Sequence, residues 1–125
     1  MLSDHPVHPT LPASDIERAK KFYAEKLGLT PESETPAGLF YSTGSSTRFF
    51  LFPSSGVASG THTQMGWSVQ DIESEVAALK GRGVVFEEYD YPSLKTVNSI
   101  AEIGPTKSAW FKDSEGNLHC IVENM

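Results

Sequence analysis

Two stretches of the chain share one layout of apolar and polar positions. Asp15-Ile16-Glu17 opens a run in which Ile16, Ala19, Phe22, Tyr23 and Leu27 recur at helical spacing, with Lys20, Lys21 and Lys26 left to solvent. Half a chain later Asp71-Ile72-Glu73 opens a second stripe of Ile72, Val76 and Leu79. The pattern predicts helices over about 15–26 and 71–81. Ser14 followed by Glu17 reads as a capping box for the first. Asp71 reads as the cap of the second, and Gly81 and Gly83 as its end.

Strand-like runs surround each helix. A short one precedes it, and three follow: 29–35, 39–43 and 47–53 after the first helix, and 84–89, 108–112 and 118–123 after the second. Pro36-Ala37-Gly38 and Gly44-Ser45-Ser46 have turn composition and separate the earlier set. The fold class is therefore α+β, a single domain over 1–125 built from two βαβββ modules, about 5–53 and 62–124, with a Ser- and Gly-rich linker at 54–61. Neither module is large enough to close a core alone. Together they are expected to form a curved mixed sheet around a cleft, with the helices on its outer faces. The one long aperiodic segment, 91–107, reads as a lid or cleft wall.

Ten basic and sixteen acidic residues give a net charge of −6, which argues against nucleic acid and anionic membrane as partners. No apolar run approaches the roughly 20 residues that span a bilayer. Met1-Leu2-Ser3-Asp4-His5 has neither a basic nor an apolar leader region, so a cytoplasmic location is expected. The single cysteine, Cys120, excludes an internal disulfide framework and a cysteine zinc cluster. No nucleophile elbow and no phosphate-cradling glycine loop is present.

Residues 14–23 (Ser-Asp-Ile-Glu-Arg-Ala-Lys-Lys-Phe-Tyr) followed by Leu27-Gly28-Leu29, and Trp110-Phe111-Lys112-Asp113-Ser114-Glu115-Gly116-Asn117, resemble two signatures of the vicinal oxygen chelate superfamily. That superfamily includes glyoxalase I, extradiol dioxygenases and the bleomycin and fosfomycin resistance proteins. The resemblance spans about 7–123 and implies the two-module fold and, commonly, a homodimer. It also implies where a metal would be held. The ligand positions fall on His8, Gln64 and Cys120, and the additional first-half glutamate of glyoxalase I falls on Phe50 or Leu51.

That inventory contains no carboxylate. Hard divalent ions want oxygen donors beside imidazole, whereas Gln64 is a weak neutral donor and Cys120 is soft. His62 shares strand parity with Gln64 but reads as a solvent-facing edge. His119, of opposite parity to Cys120, is expected to point away from the cleft, and Trp67 to pack under the second helix. Aromatic residues make up 10% of the chain and concentrate in Phe40-Tyr41, 49–52, Tyr89 to Tyr91 and Trp110-Phe111. An aromatic cleft with a few polar groups is the usual build of a small-molecule site.

The expected ligand-binding residues are His8, Phe50, Phe52, Gln64, Tyr89, Tyr91, Trp110 and Cys120, with Leu118 and Val122 beside the thiol. The favoured reading is a small-molecule-binding protein of the bleomycin-resistance, antibiotic-binding type, taking an apolar or aromatic ligand without a cofactor or catalytic residues. The alternative is a glyoxalase-like lyase, isomerase or dioxygenase with a divalent metal on His8 and Gln64 and a third ligand, Cys120 by position. A non-catalytic regulatory module with a vestigial cleft is the third reading.

Overall fold

A computed structural model describes residues 1–124; Met125, the last residue of the expected domain, lies outside them. The element order is β1 (Thr10–Ala13), α1 (Ile16–Leu27), β2 (Ser33–Thr35), β3 (Gly38–Ser42), β4 (Arg48–Pro53), β5 (Thr63–Val69), α2 (Ile72–Gly81), β6 (Asp90–Tyr91), β7 (Leu94–Lys95), β8 (Ala101–Ile103), β9 (Thr106–Lys112) and β10 (Leu118–Glu123). Two four-stranded sheets run in the orders β1-β4-β3-β2 and β5-β10-β9-β8. In each, the strand before the helix pairs in parallel with the last strand of its module, and the remaining pairs are antiparallel. The sequence repeat is thus a repeat of topology, and the α+β class with two βαβββ modules holds.

The helices start where the Asp-Ile-Glu motifs place them, but the first cap differs from the capping box. Asp15 is the N-cap, its carboxylate accepting the Arg18 N–H at 3.0 Å. Ser14 instead donates its hydroxyl to Glu115 at 3.3 Å, drawn there by a carboxylate that also accepts the Asp15 N–H at 3.0 Å. Asp71 caps α2 as expected, accepting from the Ser74 N–H at 3.2 Å.

The second module departs from the pattern at 84–107. Residues 84–89 form no strand; Phe86 makes one bridge to Phe111, and the Glu87 N–H reaches the Trp110 carbonyl at 2.8 Å. The rest of that edge is taken by β8, from the segment read as aperiodic. The organiser is Glu88, whose carboxylate accepts the Thr96 hydroxyl at 2.7 Å, the Ser99 hydroxyl at 2.7 Å and the Ser99 N–H at 3.1 Å. These bonds close residues 88–99 around the β6–β7 hairpin, so 91–107 is a hairpin and an edge strand rather than a structureless loop. In the first module, 29–35 forms a strand only from Ser33, beyond Pro31, which has no N–H to give a ladder.

The helix-side faces of both sheets share one interior. Leu11, Leu39, Tyr41, Phe49 and Leu51 pack with Ala19 and Tyr23 of α1 and with Met65 of β5. Ile72 and Val76 of α2 pack with Phe86, Ala109, Phe111 and Ile121, and both Leu27 and Trp67 touch each cluster. The Phe49 ring meets Trp67 edge-on at 5.9 Å. Burying each large apolar side chain contributes about 1.5–3 kcal/mol, so this shared layer is what holds the modules together. The helices therefore belong to this shared interior rather than to the outer faces where they were expected, and the helix-free face of each sheet is turned away from it.

Polar groups stitch the seam. The Tyr23 hydroxyl donates to Asp113 Oδ2 at 2.6 Å and lies 3.0 Å from His119 Nε2, while Trp67 Nε1 donates to His119 Nδ1 at 3.0 Å. An indole N–H can only donate, so Nδ1 is the acceptor and Nε2 carries the proton given to Tyr23. Burial alone would raise the Asp113 pKa; the His119 N–H nearby, at 3.8 Å, and hydrogen bonds from Tyr23 and Asn117 outweigh it and hold the carboxyl below its ordinary value. Glu115, its side chain 1% exposed, accepts from Arg18 Nε at 2.8 Å and Nη2 at 2.9 Å. Those bonds, against the cost of burial and with help from the Asp15 N–H, lower its pKa to about 2.

Candidate functional site

The eight expected site residues divide between the two outward faces. On the first sheet, β3 and β4 pair Phe40 with Phe50 across the antiparallel ladder, their rings 4.4 Å apart, and Phe52 follows two residues along. The side-chain period of two that sends Phe49 and Leu51 inward sends Phe50 and Phe52 out, where they remain half-buried. His8 lies just before β1, exposed, its ring edge-on to Phe40 at 5.3 Å. Arg48 stacks its guanidinium over Phe40 at 4.3 Å and pairs with Glu32 at 3.4 Å. Phe40 and Arg48 were absent from the expected set; strand parity with Phe50 and Phe52 carries the signal for Arg48, whereas Phe40 needs the β3–β4 register.

The second sheet gathers Gln64, Tyr89, Trp110 and Cys120. Trp110 is the ladder partner of Cys120, and Tyr89 meets the Trp110 ring edge-on at 5.4 Å, with Tyr91 6.1 Å beyond it and 60% exposed. Cys120 is 7% exposed between Leu118 and Val122, and burial pushes its thiol pKa up, away from the thiolate form. Segment 87–91 supplies Tyr89 and Tyr91, so the Glu88 closure fixes one wall of this face.

Gln64 is committed within the chain. Asn117 donates its amide to two groups that can only accept, the Pro12 carbonyl at 3.1 Å and Asp113 Oδ2 at 2.8 Å. Asn117 must therefore turn its oxygen to Gln64, which donates at 3.1 Å and accepts the Leu118 N–H at 3.3 Å. One N–H and one lone pair of Gln64 remain for a ligand. The amide is oriented by the same Asp113 that anchors the interior network.

His119 is fully buried in the seam and Trp67 packs against both cores, as their parity predicts. His62 is exposed, 3.4 Å from the Ser59 hydroxyl. A cavity of about 490 Å³ opens where the modules meet, between the 43–48 turn and β5, with Arg48, Phe49, Met65, Trp67 and Ser68 among its walls; none of the eight expected residues lines it. Among the described residues, Asp71, Glu73 and Glu123 form an acidic group with oxygens within 4.8 Å. Glu123 there accepts the Ile72 N–H at 2.9 Å and Glu73 pairs with Lys107 at 3.0 Å, which makes it the reinforced N-terminus of α2.

The expected metal ligands belong to different sheets: His8 lies beside β1 and Phe40 of the first, Gln64 and Cys120 on β5 and β10 of the second. Their chemistry also fits a hard divalent ion poorly, since they offer one imidazole, an amide already bonded at both ends and a buried thiol held in its protonated form. No helix among the described residues is long and apolar enough to cross a membrane.

Comparison with known proteins gives the lineage. The chain superposes on UcmS2 with a TM-score of 0.74 at 19% identity, covering 94% of this chain and 96% of that one. TnmS3, an antibiotic binding protein from Streptomyces sp. CB03234, gives a TM-score of 0.64 at 23% identity over 95% and 94% of the two chains. A glyoxalase/bleomycin resistance protein/dioxygenase from Nocardioides gives 0.67 at 19% identity over 95% and 83%. No curated protein sequence matches. The family model described as Glyoxalase/Bleomycin resistance protein/Dioxygenase superfamily matches residues 5–121, and the chain belongs to that superfamily.

Proposed function

We propose that this protein binds a largely apolar or aromatic small molecule between two copies of itself, without metal chemistry. The observation that carries this reading is the pair of outward aromatic faces. One holds Phe40, Phe50, Phe52 and His8, the other Tyr89, Tyr91 and Trp110, and no ring contact joins them within the chain. A twofold dimer that sets the first face of one copy against the second face of its partner makes two equivalent clefts and completes the expected site residues in each. Flat rings on both walls suit a planar guest, with Gln64 and Arg48 as polar anchors and Cys120 in the floor. TnmS3, similar in fold, is an antibiotic binding protein, which is consistent with such a ligand.

The test combines assembly, binding and metal content. Sedimentation at micromolar concentration should give twice the 13.7 kDa chain mass. A panel of aromatic antibiotics should contain one that slows thiol labelling of Cys120, perturbs Trp110 fluorescence and binds at least tenfold more weakly to Phe50→Ala. A solely monomeric species, or labelling indifferent to every compound, would sink the proposal. Stoichiometric metal retained by chelator-free protein and lost in His8→Ala would replace it with the metal-dependent lyase, isomerase or dioxygenase reading.

A further inference from the structure

A second cavity, of about 170 Å³, lies on the helix side of the second sheet, away from both outward faces. Leu27 and Leu29, at the end of α1, form one wall; Trp67 and Phe111 form the floor; Leu79 and Glu75 of α2 form the other wall. Leu27, Leu29, Trp67 and Leu79 are only partly buried, so this apolar surface opens to solvent. Glu75 is the only charged residue lining it, and among the described residues it belongs to no ion pair. The nearby Arg82 guanidinium is turned to the α1 carbonyls of Ala24 and Lys26, each at 3.2 Å.

We infer that this crevice is a separate binding site for a small ammonium compound with an aromatic or branched alkyl body. Three features select that class. The volume is close to the roughly 150 Å³ engineered cavity that admits benzene, which bounds the body at about one ring. The walls offer almost nothing to a neutral polar guest. The one carboxylate, which has no ion-pair partner among the described residues, attracts a cation, and the ring atoms of Trp67 and Phe111 in the lining give its body apolar contact.

The chain has two tryptophans: Trp67 lines both this crevice and the 490 Å³ cavity, and Trp110 lies on the second outward face, so Glu75 and Leu79, which line the crevice and not the larger cavity, assign a Trp67 response to the crevice. In a ¹⁵N-labelled protein titrated with benzylammonium, the Trp67 indole N–H resonance should shift saturably while that of Trp110 stays in place. Benzyl alcohol, similar in shape and neutral, should bind at least fivefold more weakly, and Glu75→Gln should weaken benzylammonium by a similar factor. Glu75 is exposed, so that variant leaves the fold intact. Leu79→Phe, which fills the crevice, should abolish the Trp67 response in a protein whose thermal unfolding remains cooperative. The inference is overturned by no saturable Trp67 shift, by a response at Trp110 instead, by equal binding of the alcohol, or by unchanged affinity in Glu75→Gln. None of these results bears on the intersubunit cleft, which is tested through Phe50 and Cys120.

Discussion

Replacing Glu115 with glutamine removes the charge that ties the β9–β10 hairpin to the start of α1. The carboxyl is held near 2 in the folded chain against an ordinary 4.5. At about 1.4 kcal/mol per pH unit, that difference is worth at most about 3.5 kcal/mol at neutral pH. The Arg18 side chain is 53% exposed and solvent screens part of the attraction, so the expected loss is about 1.5 kcal/mol. Because the folded-state pKa is depressed, the stabilisation is complete above about pH 5 and fades as pH falls from the unfolded value toward the folded one. Urea unfolding followed by tryptophan fluorescence should show Glu115→Gln less stable at pH 6 with an unchanged slope, and more than half of that gap should close by pH 3. A gap of the same size at both pH values would mean that lost packing or an altered hairpin is responsible, and the charge reasoning would fail.

Other substitutions separate the remaining contributions. Tyr23→Phe deprives Asp113 of a 2.6 Å donor and strands the His119 N–H inside the seam, and should cost about 2–3 kcal/mol in the same assay. Tyr41→Phe should be neutral or stabilising, by up to about 1 kcal/mol, because the Tyr41 hydroxyl is buried with no partner and its pKa is driven to about 12, chiefly by desolvation. Gly38→Ala should cost more than about 2 kcal/mol in thermal unfolding, since φ is +148° and a Cβ there would sit 2.2 Å from the Leu51 carbonyl oxygen. Thiol labelling of Cys120 should be slow at pH 8 and accelerate only at higher pH than a free thiol, and unfolding in urea should restore the ordinary rate.

The sequence discloses most of the fold because its repeat is carried by local signals: the helix-opening aspartates, the apolar stripes and the turns between strands. Phe50 and Phe52 could likewise be assigned to one face by alternation alone. What stayed hidden depends on partners far apart in the chain. Glu88 looks like surface charge until Thr96 and Ser99 fold back onto it, and without those bonds β6, β7 and β8 are too short to announce themselves. Gln64 was identified as a site position, but its tether to Asn117 needs the hairpin beside β5 before it can be recognised. The division of the expected site residues between two faces follows from which faces the modules bury, and a pattern of period two is indifferent to that choice.

The seam also shapes how the protein is made. Tyr23 leaves the ribosome some ninety residues before Asp113 and His119, the groups that satisfy its buried hydroxyl. Through most of synthesis the first module can form α1 and its sheet, yet the polar end of its core has nothing to bond and its apolar layer lacks Met65 and Trp67. Contacts this distant in sequence slow folding and leave sticky surface open while the chain grows. The nascent N-terminal half should therefore behave as a client of chaperones, and its resistance to protease should arrive in one step, when the β9–β10 hairpin emerges and docks.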